Sequence, residues 1–190
     1  MPNAKMLLGN HEYMMLRALG YPYDPYDPTS ELIREDATEH WYRNGGKVTH
    51  DHWKHIRKSL RKEIIQYLLD LPLNIDVEVN GKPYKLVHGA PMDEYLNYPG
   101  TPSAIHFAVW KRWRRYDTFS GDFTMVFGHT PTKHYQDDVP MKLWYGNRMI
   151  GIDCGSGYPE VGPDSEYGRL ACLRLDDGRV FYSEEECYDH

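Results

Sequence analysis

Three places in this chain set a metal-competent or proton-active side chain directly after an apolar run. Met6-Leu7-Leu8-Gly9 leads into Asn10, His11 and Glu12, Leu86-Val87 leads into His88, and Phe127-Gly128 leads into His129. An amide oxygen, imidazoles that titrate near neutral pH and a carboxylate are groups that hold divalent cations or move protons. Residues placed this way are expected at the carboxyl ends of buried strands, where open α/β sheets build their sites. Asn10 also has a plainer account, since Asn is a favoured cap at a helix start. Capping alone, however, requires neither His11 beside it nor an apolar run before it.

Those side chains depend on the elements that carry them. Lys5 to Leu8 reads as a short buried strand, and Glu12 to Leu19 as a helix ended by Gly20. Tyr21 to Pro28 holds three prolines in eight residues and reads as a stiff surface loop. Thr29 or Ser30 is expected to cap a second helix that runs to about Arg43, with Leu32, Ile33, Ala37, His40 and Trp41 inward, until Asn44-Gly45-Gly46 ends it. Trp53, Ile56, Leu60, Ile64, Leu68 and Leu71 recur at helical spacing and predict an amphipathic helix from His52 to Leu69. His50, His52 and His55 read as its solvated face, because residues two apart on a helix do not face one another and nearby lysines and arginines repel a cation.

Asn74 to Val79 and Pro83 to His88 are expected strands, joined by the hairpin pair Asn80-Gly81. Ser103 to Arg115 reads as a helix with Ile105, Val109, Trp110 and Trp113 inward. Phe123 to Phe127 reads as the strand that hands over His129. Lys142 to Tyr145, Met149 to Asp153, Leu170 to Leu175 and Val180 to Tyr182 are the expected closing strands, the last two turning at Asp177-Gly178.

With 190 residues, 41% of them hydrophobic, the chain is long enough for one α/β domain spanning 1–190 with its own core. A net charge of −6 gives no electrostatic reason to expect a nucleic-acid partner. Cys154, Cys172 and Cys187 are odd in number and widely spaced, which implies no disulfide framework and fits a reducing cytoplasm. No apolar run approaches membrane-spanning length.

The segments Gly9-Asn10-His11-Glu12, Leu86-Val87-His88-Gly89 and Phe127-Gly128-His129-Thr130 resemble, in order, three motifs of the calcineurin-like metallophosphoesterases, phosphoprotein phosphatase branch. Pro131 stands where many other members of that superfamily have a second histidine. Asn44-Gly45-Gly46 with Thr49, and the long spacers between motifs, are similar to the bacterial serine/threonine protein phosphatases. The resemblance implies a four-layer α-β-β-α sandwich, with Asn10, His88 and His129 as ligands of one divalent cation. It also implies His11 as the donor that protonates the departing alkoxide, and Arg112, in Trp110-Lys111-Arg112, as a phosphate-binding arginine. Arg114 and Arg115 lie beside Arg112, whose plainer account is a basic helix surface.

In such a family two cations, about 4 Å apart, clamp the phosphate and activate a bridging water. Manganese, iron, zinc or nickel all suit nitrogen and oxygen ligands. The resembled family opens with an Asp-x-His and a Gly-Asp-x-x-Asp-Arg-Gly motif, neither of which is among these residues. The expectation is therefore a partial sandwich without its first strands and helices, retaining at most one cation site in part. The uncovered sheet edge predicts instability, aggregation or a homodimer. The implied activity is hydrolysis of phosphate monoesters, on a phosphorylated protein or a small phosphoester, weak or absent in these 190 residues alone. The alternatives are a non-catalytic remnant that binds without turnover and a diadenosine tetraphosphatase-type nucleotide hydrolase.

Overall fold

Asn80 and Gly81 both take positive φ, 52° and 72°, the backbone that a two-residue hairpin turn matched to strand twist requires. They join β1 (Asn74–Val79) to β2 (Lys82–Val87), antiparallel with Asn74 opposite Val87. The computed structural model describes residues 4–23, 34–138, 141–157 and 168–183. The expected cap at Thr29 or Ser30, the inward Leu32 and Ile33, and most of the Tyr21 to Pro28 loop lie outside the described residues. The described chain is mixed α/β, and its contacts gather it into two compact units. Met1–Leu73 with Pro91–Lys111 form unit 1, and Asn74–Ala90 with Arg112–His190 form unit 2.

Unit 2 is built on a five-stranded mixed sheet in the order β1-β2-β3-β5-β4, where β3 is Thr124–Phe127, β4 is Trp144–Gly146 and β5 is Met149–Gly151. β2, β3 and β5 run parallel, while β1 and β4 pair antiparallel at the two edges. The parallel centre explains the apolar character of Met125, Val126 and Phe127, all buried, since a strand covered on both faces has no polar side. A two-stranded sheet of β6 (Ala171–Leu173) and β7 (Val180–Tyr182) completes the unit's described strands.

Unit 1 is helical. α1 (Asn10–Ala18), α2 (Arg34–Arg43), α3 (Gly46–Trp53), α4 (Lys58–Leu69) and α5 (Ala104–Trp110) surround a core that includes Leu8, Leu16, Trp41, Trp53, Leu68 and Val109. Ser103 caps α5, its hydroxyl accepting the His106 N–H at 3.1 Å. Among the described residues no helix is long and apolar enough to cross a membrane.

Four expectations from the sequence need correction. Among the described residues Lys5 to Leu8 pairs with no strand; Leu8 is fully buried, and its N–H donates to the Pro72 carbonyl at 3.0 Å. The helix expected from His52 to Leu69 is two helices. α3 already starts at Gly46, after Gly45 at φ 87°, and the chain turns extended at Arg57 (ψ 145°) before α4. The Arg61 side chain donates to the Ile56 and Lys54 carbonyls, satisfying backbone groups that the break exposes. The helix expected from Ser103 to Arg115 ends at Trp110. Of the three histidines read as solvated, His52 and His55 are exposed, but half-buried His50 shares a hydrogen bond with the Tyr42 hydroxyl at 2.5 Å and tilts against Trp41.

Trp41, 2% exposed, occupies the space that a side chain at position 46 would need. A Cβ built on Gly46 lies 2.2 Å from the indole nitrogen. Gly46→Ala should therefore destabilise unit 1 by about 1–3 kcal/mol through overpacking. Urea unfolding followed by circular dichroism measures it, and an unchanged midpoint would show that the indole has room to move.

Candidate functional site

His88 and His129 follow neighbouring parallel strands. Val87 and Phe127 end β2 and β3 and sit opposite one another; His88 comes one residue later, and His129 comes after one glycine. The Gly128 N–H donates to the His88 carbonyl at 2.9 Å, extending the ladder to the point where the imidazoles emerge. His129 then adopts φ 65°, a left-handed conformation that is uncommon for a residue with a Cβ and costs on the order of 1–3 kcal/mol. The product of this backbone is a close pair, with His88 Nε2 3.2 Å from His129 Nδ1 and ring centroids 5.0 Å apart.

Between two neutral rings, that contact is a hydrogen bond in which one nitrogen donates and the other accepts. The same separation also suits two ligands of one cation. At metal–nitrogen distances of roughly 2.0–2.1 Å, nitrogens 3.2 Å apart subtend an angle of about 100° at the metal, between octahedral and tetrahedral values. Two imidazoles do not by themselves complete a coordination shell. Among the described residues no three His, Cys, Asp or Glu side chains cluster as a metal site.

Arg112 stands beside this pair. Its Nη1 donates to the His129 carbonyl at 3.0 Å and reaches the Thr130 hydroxyl at 3.3 Å, while the side chain as a whole is exposed. Arg112, His129, Thr130, Pro131, His134 and Asp153 line a cleft of about 490 Å³. The sequence reading gave Asp153 no part in a site. It comes two residues after β5, the third parallel strand, as His129 comes two residues after β3, so the same rule of a polar residue after an apolar run pointed to it. Its carboxylate accepts the Gly155 N–H at 3.0 Å, and its carbonyl accepts the Thr132 N–H at 2.8 Å.

Buried aromatic side chains hold the surrounding loops through their polar ends. The Trp113 indole N–H donates to the Gly89 carbonyl at 2.8 Å, next to His88, and the Tyr135 hydroxyl donates to the Trp113 carbonyl at 3.1 Å. Tyr135 stacks on Trp144 at 4.6 Å between centroids and meets Phe127 edge-on. Burial pushes the Tyr135 phenol above its usual range, against a hydrogen bond from Thr130 and the charge of Arg112, so the hydroxyl stays protonated as a donor. Burial likewise raises the Cys154 thiol, beside Asp153, which makes it a packed side chain and not a thiolate.

In unit 1, Asn10 and His11 open α1. Gly9, not Asn10, is the residue before the first helical turn, so Asn10 is no cap; it is 6% exposed at the first helical position. His11 is exposed, and the Glu12 carboxylate accepts the Gly9 N–H at 3.1 Å. The buried amide and the exposed imidazole are thus fixed by one helix start. A cavity of about 630 Å³ elsewhere in unit 1, lined by Arg17, His40, His106 and Trp110 among others, includes none of the candidate site residues Asn10, His11, His88, Arg112 and His129. No protein-family model matches the chain, and no curated protein matches it.

The left-handed backbone at His129 separates strain from side-chain loss. Glycine adopts φ 65° freely, whereas alanine pays the same penalty as histidine. His129→Gly should therefore be more stable than His129→Ala by about 1 kcal/mol in urea unfolding. Equal or reversed stabilities would place residue 129 in an ordinary backbone region.

Proposed function

We propose that the chain belongs to a metal-dependent phosphoesterase of the calcineurin-like type, hydrolysing phosphate monoesters, with phosphorylated serine or threonine in a protein as the substrate. The observation that carries the reading is the pair His88 Nε2 and His129 Nδ1, 3.2 Å apart at the ends of adjacent parallel strands, with the Arg112 guanidinium bonded to the His129 carbonyl. In this reading the sheet of unit 2 is part of a four-layer α-β-β-α sandwich. The setting is the cytoplasm.

His88 and His129 would hold a divalent cation, and the resemblance assigns Asn10 to the same ion. A neutral amide and two neutral imidazoles leave that ion its full charge, where carboxylates would cancel it. When bound, the cation polarises the phosphoryl group and favours the nucleophilic form of water. Manganese, iron, zinc and nickel all suit the donor set.

The rest is done by the chain's own side chains. Arg112 has five N–H donors in a rigid fork, of which Nη1 is held by His129 and Thr130; the remainder can bind phosphate oxygens. Hydrolysis adds water oxygen to phosphorus and breaks the bond to the alcohol oxygen. That oxygen keeps the electron pair and takes a proton, the donor that the resemblance assigns being His11, while the attacking water releases one to solvent. Anchoring Arg112 on the backbone of a metal ligand keeps phosphate and cation in register, which converts binding energy into orientation.

A second reading is favoured by a sequence observation. The 190 residues contain the motifs assigned to one cation and not the Asp-x-His and Asp-Arg-Gly motifs assigned to the other. On that basis these residues alone bind one cation and phosphate with little turnover, as a binding protein would.

Calorimetric titration with manganese tests both. The expected result is one ion per chain, with affinity lowered about tenfold or more by either His88→Ala or His129→Ala. Arg112→Ala should leave manganese binding intact and weaken inorganic phosphate binding about tenfold. Manganese affinity unchanged in both histidine variants would sink the metal reading. Turnover of p-nitrophenyl phosphate by the unmodified 190-residue chain would decide for the enzyme over the binding protein.

A further inference from the structure

The cavity of about 630 Å³ in unit 1 lies among α1, α2 and α5, with Arg17, His40 and Trp110 each supplied by a different helix. Its volume falls within the roughly 300–1,000 Å³ of small-molecule sites. One wall is aromatic. His106 stacks on the half-buried Trp110 at 6.0 Å between centroids, and His40 meets the same indole edge-on at 5.6 Å.

Arg17 supplies the charge. It is half-buried, its guanidinium carbon lies 5.4 Å from the centroid of the Tyr13 ring, and among the described residues no carboxylate is ion-paired with it. A partly desolvated cation held only by a ring face gains from an anion that reaches it. Burial and the charges of Arg17 and Arg43 lower the pKa of His40, so its imidazole stays neutral and adds no second cation. Arg43 is already paired with Glu39 on its own helix.

The remaining charge selects the ligand. With Glu39 neutralised, the lining leaves the Arg17 cation and the exposed Asp36 carboxylate. A phosphate dianion would set two charges against that carboxylate, whereas a carboxylate ligand brings one and matches the guanidinium fork with both oxygens. The flat faces of Trp110 and His106 favour a planar ring over a flexible chain, because a rigid ring loses little freedom on binding.

We propose that this cavity binds a small planar aromatic carboxylate, its ring against Trp110 and its carboxylate on the Arg17 guanidinium. The site lies wholly within unit 1 and does not depend on the phosphoesterase reading.

Calorimetric titration of the full chain, without added metal, with 2-naphthoate, naphthalene-2-carboxamide and acetate tests the assignment. 2-Naphthoate should bind at least tenfold more tightly than the carboxamide, which keeps the ring without the charge, and than acetate, which keeps the charge without the ring. Arg17→Gln should weaken 2-naphthoate at least tenfold and erase its advantage over the carboxamide. Arg17→Lys, which keeps the charge and loses the fork, should fall between the two. Circular dichroism and the urea midpoint report that the variants are folded. Equal affinities of 2-naphthoate and the carboxamide for the unmodified chain, or no binding of either, would overturn the proposal even if both variants failed to fold. 2-Naphthoate bound with undiminished affinity by a folded Arg17→Gln chain would overturn it as well.

Discussion

The parallel pairing of β2 with β3 is the constraint on which unit 2 depends. Parallel register places equivalent strand ends side by side, and Val87 opposite Phe127 means that whatever follows each strand emerges at one level. The Gly128 N–H bonded to the His88 carbonyl carries that register one step past the strands. With the backbones fixed, His129 has few ways to turn its ring toward His88, and the one it takes is the left-handed backbone at φ 65°. Strain of on the order of 1–3 kcal/mol at one residue persists only when its surroundings leave no relaxed alternative.

Those surroundings are apolar and well filled. Phe127, Trp113, Tyr135 and Trp144 are each at least nine-tenths buried, and burying a large apolar side chain contributes roughly 1.5–3 kcal/mol. Two or three such residues offset the strain at His129. Their polar atoms also act on backbone: the Trp113 indole holds the Gly89 carbonyl and the Tyr135 hydroxyl holds the Trp113 carbonyl. A buried indole N–H or phenol left unmade would cost about 1–3 kcal/mol, so each ring that packs the core also fixes a loop carbonyl near the histidines. Packing and positioning are the same interactions here.

Much of this was legible from the sequence, and the failures have physical causes. The Asn80-Gly81 turn and the strands ending at His88 and His129 follow from local rules, because turn chemistry and apolar runs act over a few residues. The break between Trp53 and Lys58 was not legible, since Ile56, Leu60 and Ile64 keep helical spacing straight through it. Continuous periodicity fits one helix or two; what settles it is Arg61 reaching back to the Ile56 and Lys54 carbonyls. His50 was read as solvated because its partners, Tyr42 and Trp41, come from the preceding helix. Asp153 carries the same local signal, a polar residue after an apolar run, but that its strand joins the parallel set is set by pairing with β3 and not by its own neighbours. His11 was singled out from sequence, but a cavity beside it depends on Trp41 and Trp53 meeting across helices, which no spacing rule reports.

The segment Trp110-Lys111-Arg112-Trp113-Arg114-Arg115 shows tertiary structure overriding a strong local signal. Alternating aromatic and basic residues continue the amphipathic pattern of α5, yet the helix ends at Trp110 and Lys111 is extended at ψ 128°. Ending a helix there gives up hydrogen bonds worth about 0.5–1.5 kcal/mol each. What replaces them is specific: the indole of Trp113 on Gly89, the hydroxyl of Tyr135 on the Trp113 carbonyl, and Arg112 on His129 and Thr130. A continued helix would have kept Arg112 as one more solvated cation on a basic face, screened and nearly without energetic consequence. Leaving the helix gives the guanidinium a fixed partner on the backbone that orients the histidine pair. The loss of a few helical bonds is thus what converts a generic basic residue into a positioned one.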